Sequence, residues 1–151
     1  MQSGAEAKYK TMPIEEICAM KIPSDKNSVL FLWVTVPLIQ YGFQVMEAWG
    51  YKYKTMITWR KINSLGMGFW WRGQTEHLLF GKRGNIKSFR MQEKNFIECK
   101  VQKHSQKPEE FRQLIERATP HLPKKLEMFA RHSSEGWDVF GNEVNNSIKL
   151  L

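Results

Sequence analysis

The feature that most limits what this chain can fold into is one uninterrupted apolar run, VLFLWVTVPLI, from Val29 to Ile39. Its first part, Val29 to Thr35, is bounded by Ser28 and Pro37 and carries no charge on either alternating set. That predicts a strand covered on both faces. Pro37 then opens a helix in which Ile39, Phe43, Met46 and Trp49 recur at spacings of four, three and three, forming one apolar stripe, and Gly50 ends it. Tyr53 to Trp59 reads as the next strand, so strand, helix and strand predict a right-handed crossover unit. Glu76 to Gly81 and Phe96 to Val101 read as further strands, and Leu126 to Ala130 as a short last one. Pro108 to Ala118 reads as a helix with Phe111, Leu114 and Ile115 on one face. A short helix capped by Thr11 and running through Pro13 to about Met20 precedes them all. RKINSLGMGFWWRG, Arg60 to Gly73, has no period and reads as a long loop, as does RHSSEGWDVFGNE, Arg131 to Glu143. The expectation is a single α/β domain over residues 1–151, a Rossmann-like sheet with helices on both faces. Ligands of such sheets sit beyond the carboxyl ends of strands, here at Thr35, Arg60 and Arg131.

Charge narrows the function. The formal net charge is +8, and all of it resides between Arg60 and Lys107, where eleven Lys and Arg face three Glu. The remainder of the chain is neutral. A field concentrated in one segment is the footprint of a polyanion partner, and Phe69, Trp70, Trp71, Phe89 and Phe96 are interleaved with the charges in a way that suits stacking on bases. A solvated basic surface without a partner is the plainer reading. The apolar run of 11 residues falls short of the roughly 18 that a membrane span needs, and MQSGAEAKYK has no apolar signal core, so a cytoplasmic protein is expected. Cys18 and Cys99 lie far apart without ligand spacing, and His77, His104, His121 and His132 form none either. Neither a disulfide nor a metal is expected.

Taken in order, YKTM, LFLWVT, MEAWGYKYKTMITWRK, TEHLLFGKRG, HSQKPEE, IER, KLEMFAR and GWDVFGNE resemble segments of the MT-A70-like family, the mRNA N6-adenosine methyltransferase catalytic subunit and its bacterial and phage DNA N6-adenine relatives. The resemblance extends from about Ala5 to Glu143, and the short connecting loops resemble the phage or bacterial members. It implies a Rossmann-like methyltransferase sheet with permuted motif order and S-adenosylmethionine as cofactor. It also implies a nucleic acid, DNA in preference to RNA, as substrate, in a bacterial or phage-infected cell. Residue by residue, it places Lys107 and Arg131 at the cofactor, with Asn142 and Glu143 at its ribose and adenine. Glu143 stands where the mRNA enzyme has an amide, so it accepts but does not donate. Ser133 and Ser134 replace two polar contacts of that enzyme. Lys61, Asn63 and Glu76 align beside the target base, and Arg72, Lys82, Arg83 and Lys87 extend the nucleic-acid face. Each has a plainer reading: Lys107 a solvated residue before Pro108, Arg131 a salt bridge to Glu127 or Glu135, Gly141 and Asn142 a turn, Glu76 an ion pair with a basic neighbour.

The family's catalytic Asp-Pro-Pro-Trp occurs nowhere in the chain. Its two aspartates, Asp25 and Asp138, are followed by Lys and Val, so no catalytic residue is identified. Three readings follow. The chain is part of a methyltransferase completed by upstream residues or by another chain, with the catalytic strand that would lie beside Val29 to Thr35 supplied from there. Alternatively it is a non-catalytic nucleic-acid- or cofactor-binding subunit supporting an active methyltransferase-like partner, or an unrelated α/β nucleic-acid-binding protein.

Overall fold

A computed structural model describes residues 12–102, 106–142 and 144–150. Thr11 therefore lies outside the described residues; within them α1 (Ile14–Ala19) starts at Pro13, which is extended at φ −60° and ψ 149°. Trp49 clamps this helix from a distance by donating its indole N–H to the Ile17 carbonyl at 2.9 Å.

The apolar run forms β1 (Ser28–Thr35). The helix after Pro37 begins more gradually than its period suggests, through a 3-10 turn at Val36–Leu38 before α2 (Ile39–Ala48). Gly50, at φ +86°, ends it as expected. β2 (Lys52–Ile62) runs three residues past its expected end at Trp59. It does so because Arg60 pairs with Thr75 on one side and Lys61 with Cys99 on the other, so hydrogen bonds override the polar composition there. β3 (Thr75–Arg83), β4 (Phe96–Lys100) and α3 (Glu109–Ala118) follow.

The sheet is mixed, ordered β1-β3-β2-β4. β1 and β2 run parallel, as a strand-helix-strand crossover requires, but they do not pair with one another. β3 lies between them, antiparallel to both, and β4 adds to β2 in parallel. The cause is local: the loop over residues 63–74 returns β3 along β2 as a hairpin, which fills the position that a neighbouring crossover strand would take. Beyond α3, β5 (Leu126–Met128) pairs in parallel with β6 (Asp138–Phe140) in a separate two-stranded sheet. β6 lies inside the stretch expected to be loop.

Helices cover both faces. α2 packs Met46 against Val34, Tyr51 and Leu79, with Leu30, Leu32 and Phe43 around them. Gly42 allows this approach, since a Cβ there would sit 2.3 Å from Val34 Cγ1. The alternate residues of the same strands face α3, where Phe111 is buried against Trp59 and Leu78, with Phe31, Trp33 and Ile57 alongside. Among the described residues no helix is long and apolar enough to cross a membrane.

Candidate functional site

The register of the sheet decides which polar groups meet. Thr35 on β1 pairs with Glu76 on β3, and Glu76 pairs with Trp59 on β2, so these residues share the α3 face at the carboxyl ends of β1 and β2. Lys61, two residues beyond Trp59, joins them through the added length of β2. Its ammonium donates to Glu76 Oε1 at 2.9 Å. Lys107, just ahead of α3, donates to Glu76 Oε2 at 2.6 Å. Two residues that the sequence assigns to the target base, Lys61 and Glu76, and one that it assigns to the cofactor, Lys107, therefore form one cluster. The ion pair expected of Glu76 is present twice over, and Lys107 is not merely solvated.

The cluster rests on aromatic rings. Lys107 Nζ lies 5.0 Å from the Trp33 ring and Lys61 Nζ 5.3 Å from that of Trp59, while the two indoles meet edge to face with centroids 6.1 Å apart. The signal in the sequence that links Trp59 to charge is its period-two spacing from Lys61. Glu76 is buried at 8% exposure. Burial alone would raise its carboxyl pKa, but the ammonium groups of Lys107 and then Lys61 outweigh it and hold the value below 4.5. At neutral pH the cluster thus carries two cations and one anion. Lysine has three donors, so each ammonium retains N–H groups for a carboxylate or phosphate after serving Glu76. On the opposite face Thr58 Oγ1 and His77 Nδ1 are 2.9 Å apart, and burial pushes the imidazole pKa down, with Glu76 offsetting part of that. Cys99 supplies no nucleophile: burial, and next Glu110, push its thiol up to about 11.

Asn63 ends β2 in the left-handed region at φ +62°, which asparagine tolerates. It directs the chain into the loop over residues 63–74. There the Gly66 N–H donates to the Gly73 carbonyl at 2.6 Å, and Phe69, Trp70 and Trp71 project almost fully into solvent. Arg72 is exposed beside them and donates to the Gly66 carbonyl at 3.2 Å.

The remaining cofactor candidates gather on the small sheet. The Ala130 N–H donates to the Phe140 carbonyl at 2.9 Å, and a Cβ on Gly141 would lie 2.2 Å from the Ala130 oxygen. Only glycine permits that approach; half-buried Arg131 and exposed Asn142 each follow just past the carboxyl ends of β5 and β6. Glu127, one plainer partner for Arg131, accepts from Arg112 at 2.8 Å. Glu143 lies outside the described residues.

The outer basic residues separate. Lys87 is exposed, and Lys82 donates to the Ile86 carbonyl at 3.2 Å. Arg83 turns inward: its guanidinium stacks 4.9 Å from the Tyr51 ring and donates to Ser24, Asp25 and Trp49 carbonyls. The structure thus engages Arg83 in tying the N-terminal segment to the sheet. Among the described residues no group of His, Cys, Asp and Glu could hold a metal ion.

A family model described as MT-A70 matches residues 1–143. The chain is 35% identical to the N(6)-adenosine-methyltransferase MT-A70-like protein of Arabidopsis thaliana over 97% of its own length. It is 32% identical to the type II methyltransferase M.MunI of a Mycoplasma species, over 98% of its length. It is also 32% identical to the N(6)-adenosine-methyltransferase catalytic subunit METTL3 of Homo sapiens, over 97%. It spans 22%, 65% and 27% of those three proteins respectively.

Proposed function

Because the chain belongs to the MT-A70 family, we propose that it supplies the cofactor-binding part and the nucleic-acid face of a methyltransferase that moves a methyl group from S-adenosylmethionine to the N6 of adenine. The observation that carries this reading is the convergence of Lys61, Glu76 and Lys107 on two indoles at the carboxyl ends of β1 and β2. Strand ends of this kind are where α/β sheets hold ligands.

The donor types fit the cofactor. Lys107 would meet its carboxylate with the N–H groups left over from Glu76. Arg131 and Asn142, which follow β5 and β6, would offer donors and an acceptor to ribose hydroxyls and adenine, with Glu143 as a further acceptor. When bound, the cofactor supplies the electrophilic methyl group. On the target side Lys61, Asn63 and Glu76 would orient an extruded base, while Phe69, Trp70 and Trp71 offer exposed rings for stacking beside the phosphate contact of Arg72. No residue of this chain is assigned the role of accepting the adenine amino protons.

DNA is the polymer we favour, on the short loops and on the 65% share of the compact type II methyltransferase that the chain spans; a bacterial or phage-infected cytoplasm goes with that choice. Among the described residues β1 pairs with β3 alone, so its other edge is open to a completing strand from upstream or from a partner chain; in a second reading that partner is the active methyltransferase and this chain a non-catalytic subunit beside it. The test is calorimetric titration with S-adenosylmethionine, followed by transfer of labelled methyl groups to DNA and RNA oligonucleotides of one sequence. Cofactor binding by the chain is expected, with DNA labelling once the part that carries the catalytic tetrapeptide is supplied. Binding of nucleic acid without either would support the subunit, and RNA labelling alone would overturn the DNA preference.

A further inference from the structure

The α3 face of the sheet holds a second site at the other end of the strands. There a groove of about 540 Å³ opens between the sheet, the segment over residues 86–95 and the end of α3. Its aromatic lining is continuous: Phe31 and Phe80 lie with centroids 5.0 Å apart, and Phe80 and Phe89 5.4 Å apart. Around these rings stand Lys54, Lys82, Lys87, Arg90 and Lys94. The one carboxylate in the lining, Glu93, is already taken by Arg117 through bonds of 2.6 and 3.2 Å. Arg90 sits at φ +52°, a left-handed conformation that a long side chain rarely adopts and that strained functional segments often contain. Phe31 precedes Thr35 by four positions on β1, so the groove lies about 13 Å along the strand from the Glu76 cluster at roughly 3.3 Å per residue.

We infer that this groove binds a single-stranded segment of the nucleic acid flanking the target, its bases stacking on Phe89 and Phe80 and its phosphates met by Lys54, Lys87, Arg90 and Lys94. The inference rests on the nucleic-acid reading above and adds a second binding surface to it. The separation of about 13 Å is short enough for a single strand of a few nucleotides to reach both sites. Charge selects a polyanion, and the rings select among polyanions. An acidic peptide would use the cations and leave the phenylalanines uncovered, and a duplex keeps its base faces stacked inside, whereas an unpaired strand presents both phosphate and base.

The test measures fluorescence anisotropy of the full chain with a labelled oligothymidine and with a duplex of equal length, across a salt series. The Lys87→Gln, Arg90→Gln, Lys94→Gln triple variant replaces exposed charges and is expected to lower the single-strand salt slope by about two, at ~0.7 for each phosphate no longer neutralised. Phe89→Leu keeps apolar bulk against Phe80 and His121 but removes the stacking face. It is expected to weaken oligothymidine binding about tenfold, within the range for removal of one stacked ring, with the salt slope and the duplex affinity unchanged. If both variants bind as the wild type does, the groove assignment falls while the nucleic-acid reading stands. Equal losses for single strand and duplex in Phe89→Leu would also overturn it. So would polyglutamate that binds the wild type and not the triple variant while oligothymidine binds both alike. A wild type that binds neither nucleic acid overturns both readings together.

Discussion

Replacing Glu76 with glutamine isolates the charge that holds the central cluster together. The carboxylate accepts from Lys61 at 2.9 Å and from Lys107 at 2.6 Å, and hydrogen bonds to charged groups contribute about 1.5–3 kcal/mol each. The two lysine side chains are 24% and 37% exposed, so water replaces part of what they lose, and the amide oxygen still accepts one bond. A net loss of about 2 kcal/mol is therefore expected. For a domain of this size each kcal/mol moves Tm by about 2–4 °C, giving a drop of about 4–8 °C at pH 7. The pH dependence provides a sharper criterion. Glu76 titrates lower folded than unfolded, so its contribution is complete above the ordinary value of 4.5 and disappears as pH falls through the lowered folded value. Urea unfolding of wild type and Glu76→Gln should accordingly differ by a constant amount from pH 8 to 5, with the gap closing at lower pH. An equal stability at pH 7, or a gap that persists undiminished to pH 3, would refute the assignment of that energy to the ionised carboxylate.

The other expectations concern separate parts of the molecule. In the completed enzyme Lys107→Ala and Asn142→Ala should each weaken S-adenosylmethionine binding by about 1–3 kcal/mol in calorimetry; unchanged affinity in both would remove them from the proposed cofactor site. With its thiol pushed up to about 11, Cys99 should resist iodoacetamide at pH 8 in the folded protein and react on unfolding, as followed by mass spectrometry of its peptide. Gly42→Ala should cost about 1–3 kcal/mol, read by chemical denaturation, because the new methyl group meets Val34 at the closest point between α2 and the sheet.

Much of the fold is visible in hydrophobic spacing, because α2 and α3 each bury one apolar stripe and β1 buries apolar residues on both faces. What spacing does not encode is which strands become neighbours. Nothing local to Thr75–Arg83 says that it will insert between β1 and β2, since that depends on a hairpin return through an irregular loop. β6 is hidden for a different reason: three residues between glycines make too short an alternation to register, and its pairing with β5 is long-range. The site is legible as residue types and illegible as a site. Lys61, Glu76 and Lys107 carry the right chemistry in sequence, but only the cross-strand register brings them to one carboxylate. Arg83 shows the converse, a cation in the basic segment whose guanidinium the fold directs to backbone carbonyls. Net charge cannot separate the two cases.

The position of β3 at the middle of the sheet also sets an order of assembly. β2 and β3 are joined by one loop, and pairs such as Arg60 with Thr75 close with little loss of chain entropy, whereas Ser28 must find Arg83 across a far longer stretch. The hairpin is therefore the local nucleus on which β1 condenses, with α2 carried in as the connection. Lys61 and Glu76 both belong to that hairpin. Their ion pair, with Trp59 beneath Lys61, is local to the hairpin, whereas Trp33 and Lys107 join it only through longer-range contacts. Substitutions within the hairpin are consequently expected to slow folding, and those in β1 chiefly to hasten unfolding, in stopped-flow measurements of the two rates.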